Sequence, residues 1–284
     1  MIYKLSYKIN MARLLLTQVF PWLWPIREKQ KKYCFYMLMK FDTNKYSLAK
    51  DHIFFNNLVY ECKTELINLE SGYDIKYQHN KVHNLKIAAK AFNGLIIKPN
   101  ETFSFWKVLS YYSKNEQFKE GLNVIRNKMS LIKGGGLCQV SNMIYEVLLN
   151  TELTITQRQG HDSLSFPILN HDNLQGIDAT VNEGWLDLKA INSTINTYQL
   201  KLDVDNRYLK VAIYSKIKPQ YTYKLYNNIK EYLKIENKYY FHCSLDRKQY
   251  KNNILHNNET IIEEYKEINF QENLIPKERI KDHE

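Results

Sequence analysis

The segment Lys133-Gly134-Gly135-Gly136-Leu137-Cys138-Gln139-Val140-Ser141-Asn142 lies in the middle of the chain and governs how its neighbours must be read. Three consecutive glycines in a protein of 284 residues that has only nine are a demand of the backbone. They permit positive φ and the close approach of another chain or a ligand. After them the apolar residues Val140, Met143, Ile144, Val147 and Leu148 recur at helical period, which predicts a helix with Cys138 at its start. Cys138, Ser141, Asn142 and Tyr145 fall on a second stripe, expected to lie away from the buried one. The expected fold is therefore α+β, with the Cys-bearing helix packed on an antiparallel sheet.

A cysteine at a helix N-terminus is close to unpaired N–H groups and a partial positive charge, both of which favour the thiolate. The glycine turn beside it supplies further N–H donors for an oxyanion, from Gly135 and Gly136 to Cys138. A nucleophilic cysteine normally needs a base, and the nearest downstream candidate is His161, in Gln157-Arg158-Gln159-Gly160-His161-Asp162-Ser163. The other reading of Cys138 is a small buried hydrophobe at a tight turn.

Four motifs, in order and spacing, resemble the VanW family: Pro99-Asn100-Glu101-Thr102-Phe103-Ser104-Phe105-Trp106, Gly134-Gly135-Gly136-Leu137-Cys138-Gln139-Val140-Ser141-Asn142, the Arg158 and His161 pair, and Asp178-Ala179-Thr180-Val181. The resemblance runs from roughly residue 84 to 215. It implies a bacterial protein linked to peptidoglycan metabolism and glycopeptide (vancomycin) resistance. Some proteins with this domain are implicated in L,D-transpeptidase chemistry, with the cysteine of the glycine motif as nucleophile. It further implies a cysteine acyl transferase acting on peptidoglycan stem peptides or their precursors, with Cys138, His161 and Asp178 as catalytic residues. Gly135, Gly136, Gln139, Ser141, Asn142 and Arg158 are then candidate substrate contacts. A non-catalytic accessory protein that binds cell-wall precursors is the alternative. Asp178 either holds His161 in the right tautomer or caps a turn, and Arg158 either meets a stem-peptide carboxylate or makes an ordinary salt bridge. The chain departs from the family in two places: Asp162 and then Ser163 follow the histidine where Ser usually follows directly, and Pro99-Asn100 replaces the usual Pro-Gly.

Composition excludes a disordered chain, because 44% of residues are hydrophobic and 13% aromatic. The net charge is +10, and the first 50 residues, with ten Lys and Arg against two acids, carry +8 of it. Such a head suits an anionic surface. Within it, the apolar and aromatic residues 14–26 are too short and too broken by proline to span a bilayer, so residues 11–32 read either as an interfacial segment or as one docked on the core. No cleavable signal is seen, and the expected location is cytoplasmic or peripheral at the cytoplasmic membrane. Cys34, Cys62, Cys138 and Cys243 are far apart with no zinc-site spacing, so no metal is expected and reduced thiols are the simpler reading. The glycine turn lacks P-loop spacing, no cofactor is implied, and no nucleic-acid motif accompanies the aromatic residues.

The remaining chain divides into a basic segment 1–45, a helical region 46–80, the family-like domain 81–215 and a strand-rich appendage 216–284 with a mobile end beyond Pro276. Helices are expected from about 47 to 69 and from about 82 to 95, and extended chain from 96 to 106. A polar loop with a turn at Gly121 is expected over 111–128. Residues 153–156, 186–191, 198–204, 208–214 and 259–265 alternate and predict strands. His79 and His83, four apart, have no third ligand at useful spacing and read as solvated or core histidines.

Overall fold

The computed structural model describes residues 19–67, 74–125, 128–164, 167–168, 174–276 and 279–282. Its helices are α1 (Trp24–Phe41), α2 (Ile75–Phe92), α3 (Phe105–Tyr112) and α4 (Leu137–Leu149). Its strands are β1 (Asn57–Glu65), β2 (Ile96–Ile97), β3 (Thr102–Ser104), β4 (Glu120–Ile125), β5 (Lys128–Lys133), β6 (Thr154–Gln157), β7 (Ser163–Leu164), β8 (Lys189–Ile191), β9 (Tyr198–Val204), β10 (Tyr208–Ser215), β11 (Thr222–Tyr226), β12 (Lys230–Ile235), β13 (Lys238–Lys251), β14 (Ile254–Ile268) and β15 (Ile280–Asp282). The class is α+β.

The chain forms two compact units, Met1–Asn44 with Asn182–Leu186, and Lys45–Val181 with Asp187–Glu284. In the first, α1 follows a 3-10 turn at Pro21–Leu23, and Lys32 pairs with Glu183 at 2.8 Å. Phe20, Trp22, Trp24 and Ile26 are exposed beside Arg27, Lys29, Lys31 and Lys32. Residues 11–18 of the expected interfacial segment lie outside the described residues. No described helix is long and apolar enough to cross a membrane.

In the second unit, α4 lies along the antiparallel sheet β1-β10-β9-β2, against β1 and β10, as the sequence predicts. The region expected to be helical from 47 to 69 is corrected over its described part, to residue 67, which is irregular chain around β1, residues 68 and 69 lying outside the described residues. The reason is visible in the contacts. Alternate residues Tyr60, Cys62 and Thr64 face α4, while Glu61, Lys63 and Glu65 face solvent, so the operative period is two. Tyr60 donates to Glu146, Cys62 approaches the Met143 carbonyl, and Gln139 donates to Glu65 O, so strand and helix are fastened at matched intervals.

The helix expected over 82–95 starts earlier, at Ile75, where Asp74 accepts from the Lys76 N–H as N-cap. It ends at Phe92, and Gly94 follows at φ 80°. His79 and His83 ride on it, and His83 Nε2 lies 3.1 Å from Gln117 O. The extended reading of 96–106 holds only to Ser104. There the Ser104 hydroxyl accepts from the Lys107 N–H, and Asp187 binds both the Ser104 hydroxyl and the Trp106 N–H, which starts α3. Phe103 and Phe105 are core, with Phe92 ring centroids 6.0 and 4.8 Å away. Each such buried ring contributes about 1.5–3 kcal/mol of transfer free energy.

The polar loop expected over 111–128 is also corrected, because Glu120–Ile125 and Lys128–Lys133 form the hairpin β4-β5. Gly121 is a strand residue, not a turn. The C-terminal region is strand-rich, as the sequence predicts, and belongs to the same compact unit as most of the family-like domain. Its sheet, β15-β12-β13-β14-β7 with β11 on β13, runs into the family-like domain through β14, whose Glu267 and Ile268 pair in parallel with Ser163 and Leu164 of β7. Not all of the stretch beyond Pro276 is a free tail: Ile280–Asp282 pairs in parallel with β12. Tyr232, Phe241, Cys243 and Ile275 give this sheet its own core.

Candidate functional site

The site begins with the glycine turn that starts α4. Gly134 and Gly136 take φ of 83° and 97°, in the left-handed region, and Gly136 is the N-cap of α4. Gly135 answers a different demand: a Cβ there would lie 2.3 Å from the Gly121 carbonyl carbon on β4. The hairpin base and the helix start thus meet backbone to backbone, and Asn84 of α2 seals the junction by donating to Gly135 O and Lys119 O. Cys138 is the second residue of the helix, partly buried, with its Sγ 3.9 Å from Val181 O. The Leu137 and Gln139 N–H groups turn back on Gly134 O and Gly136 O. The Cys138 N–H belongs to the first turn, whose amides have no partner within the helix.

His161 meets this thiol. Its ring lies beside the Cys138 side chain, while Nδ1 lies 2.8 and 2.9 Å from the two Asp178 carboxylate oxygens. The His161 N–H also donates to Asp178 Oδ2, at 2.8 Å. Burial works against the imidazolium, yet the Asp178 hydrogen bond and the Cys138 contact outweigh it and raise His161 to about 10. Burial likewise opposes ionisation of Asp178, but the hydrogen bond from His161 and the nearby Lys266 charge hold its carboxyl well below the usual range. With Nδ1 on Asp178, the other ring nitrogen is left for sulfur. The sequence's three catalytic candidates therefore converge.

The expected substrate contacts are placed differently. Ser141 is buried and donates to Ala179 O and Cys138 O, and Asn142 Oδ1 accepts from the Ala179 N–H at 2.7 Å. These two residues fasten the segment carrying Asp178 onto α4. The second helix stripe is accordingly covered, not open: Ser141 and Tyr145 are buried, and only Cys138 and Asn142 are partly accessible. Gln139 turns to the end of β1. Gly135 and Gly136 shape the turn. Arg158 follows the salt-bridge reading, with its guanidinium bonded to Glu264, Asp178 O and Gly176 O and lying 5.5 Å over the Tyr145 ring. Asp162 is exposed and Ser163 is buried in β7, so the carboxylate that orients His161 is Asp178, not Asp162.

Two residues of this site are missed by sequence reasoning. Lys266 Nζ lies 2.8 Å from Asp178 Oδ2 and 3.4 Å from Glu264 Oε2, and Glu264 in turn holds Arg158. Both project from β14 on the same face as buried Ile262. The available signal was charged residues at alternate positions on the apolar side of a strand, since lysine is seldom buried unless paired. All four cysteines are free thiols.

The family model described as VanW like protein matches residues 80–214. The chain is 42% identical over 239 residues to the vancomycin B-type resistance protein VanW of Enterococcus faecalis (strain ATCC 700802 / V583), covering 84% of this chain and 87% of that protein. It is 34% identical over 137 residues to the uncharacterized protein YoaR of Bacillus subtilis (strain 168), covering 48% of this chain and 44% of that one. No solved structure matches it.

Proposed function

Since this chain belongs to the VanW family, we propose that it supports vancomycin resistance as a cysteine acyl transferase of the L,D-transpeptidase kind, acting on peptidoglycan stem peptides or their precursors. The observation that supports this reading is the convergence of Cys138, His161 and Asp178 at the start of α4. Cys138 Sγ attacks an amide carbonyl carbon of the donor peptide, forming a C–S bond while the proton sits on His161. The Cys138 N–H at the start of α4 faces the developing oxyanion, whereas the Gly134 and Gly135 N–H groups are spent on Lys119 O and Ile132 O, which corrects the expectation that Gly135 supplies a donor. As the C–N bond breaks, His161 passes its proton to the departing amine, leaving a thioester. An acceptor amine then attacks the thioester, gives its proton to His161 and releases the cysteine. Asp178 fixes the tautomer and steadies the imidazolium throughout. The Arg158 donors are bonded to Glu264 and to the Asp178 and Gly176 carbonyls, so in this reading Arg158 supports the segment that carries Asp178.

Intact-protein mass after incubation with tetrapeptide and pentapeptide muropeptides, and separately with a carbapenem, tests the proposal. An adduct on the wild type that is missing from Cys138→Ala is expected. No adduct, together with a Cys138 that iodoacetamide does not alkylate in the folded chain, replaces it with a non-catalytic binding protein for the same precursors.

The exposed Phe20, Trp22, Trp24 and Ile26 beside four cationic side chains favour a second component of this reading, a seat on an anionic membrane surface. Removal of residues 1–32 then abolishes flotation with phosphatidylglycerol vesicles and leaves Cys138 acylation intact. Equal flotation of both chains rules that seat out.

A further inference from the structure

Behind the three proposed catalytic residues lies a chain of alternating charges that ordinary catalysis by a cysteine, a histidine and a carboxylate does not require. It runs from His161 to Asp178, to Lys266, to Glu264 and to Arg158, and every link is an ion pair within 3.4 Å. All five side chains are a quarter exposed or less, with Lys266 at 9% and Arg158 at 12%. Burying a lysine and an arginine this far is costly unless each is paired, so the arrangement is built, not incidental. Both new members come from β14, which reaches the site only because Glu267 and Ile268 pair with β7, two residues after His161.

We propose that Lys266 is a positioning residue for the Cys138–His161–Asp178 site, holding the Asp178 carboxylate in place and sharing its negative charge with His161. The inference rests on the cysteine acyl transferase reading above. Asp178 Oδ2 is the atom on which the two functions meet, because it accepts from both the His161 N–H and Lys266 Nζ. The negative charge that His161 meets on Asp178 is shared with the Lys266 ammonium. A cation on the far side of the same carboxylate weakens its hold on the imidazolium without removing it. Glu264 prevents Lys266 from overbalancing Asp178, and it anchors Arg158, which grips the Asp178 and Gly176 carbonyls. The C-terminal sheet thus sets the proton affinity of a histidine that lies about a hundred residues away in sequence.

The experiment follows the imidazole 15N resonances of His161 against pH in the full chain labelled at histidine, with His161→Gln used to assign them. Lys266→Gln keeps a donor to Asp178 and removes only the charge. It is expected to move the His161 midpoint upward by about one pH unit, whereas Lys266→Arg leaves it in place. Cys138 and Asp178 are beside the ring, and Lys266, Glu264 and Arg158 follow behind Asp178, so Glu264→Gln, which removes an anion, moves the midpoint the other way. An unchanged midpoint in folded Lys266→Gln overturns the proposal, as does an equal shift in Lys266→Arg. Should the Gln variant fail to fold, acetic anhydride labelling of the wild type decides. Lys266 sealed on Asp178 stays unmodified while surface lysines react, and a readily acetylated Lys266 overturns the assignment. A wild-type His161 that titrates as an ordinary histidine, with Cys138 inert to acyl donors, instead defeats the transferase reading itself.

Discussion

Asn100 shows how a single residue substitutes for a family preference. It stands at φ 59°, the left-handed region, with its N–H donating to Asn192 O at 2.7 Å. Glycine reaches this region without strain and asparagine at modest cost, whereas β-branched residues do not settle there. The departure from Pro-Gly at Pro99-Asn100 is therefore conservative in conformation though not in composition. Asn100→Gly is expected to leave stability within about 1 kcal/mol, and Asn100→Val to cost about 1–2 kcal/mol, as read by urea denaturation. Equal stability of the Val variant would show that the turn relaxes to another conformation. On the same scale, the Ser141 hydroxyl donates to the Ala179 carbonyl and the Asn142 side-chain oxygen accepts from the Ala179 N–H, so both hold the segment that carries Asp178.

At the scale of elements, the decisive joint is between the β4-β5 hairpin and the start of α4. Gly121 and Gly135 touch backbone to backbone, with no room for a methyl group on Gly135. Both residues are buried. Gly135→Ala must push the hairpin off the helix start, at a cost of about 1–3 kcal/mol. A thermal melt of that variant checks the cost, and its Cys138 should also lose acylation by the carbapenem, because the first-turn amides shift with the turn. A variant with wild-type melting and acylation would mean that the hairpin base yields freely.

For the molecule as a whole, the buried charges tie stability to pH. His161 is raised from its ordinary value to about 10, so its contribution is complete below about 6.5, its unfolded value, and is lost as pH climbs toward 10. Asp178 is depressed, and its contribution is present above about pH 4 and lost only in acid. Asp187 is raised to about 6 by burial, so the pH dependence of its contribution is confined to the interval from about 4 to 6. Lys50 and Lys81, lowered to about 8 by burial, oppose the fold below that pH, and their penalty is relieved only as pH rises above it. Between about pH 6.5 and 8 the His161 contribution stands clear of these four groups. Chemical denaturation should show the wild type losing stability across that interval and His161→Gln losing markedly less. Parallel curves for the two proteins would contradict the His161–Asp178 ion pair.

What the sequence determined by itself was local. The period of Val140, Ile144, Val147 and Leu148 names α4, the glycines name its start, and alternation names β9 and β10, because each depends on residues a few positions apart. The family motifs also marked Cys138, His161 and Asp178, since the chemistry of each is carried by its own side chain. Where apolar content was ambiguous, as at 47–69, tertiary pairing chose: β1 is a strand because β10 and α4 offer it a ladder and a face. Only the tertiary structure decided that Ser141 and Asn142 face inward, that Arg158 is spent on Glu264, and that Lys266 stands behind Asp178. A buried charge is tolerated only beside its partner, and here the partners are 88 and 106 residues apart in sequence, joined by the pairing of β14 with β7.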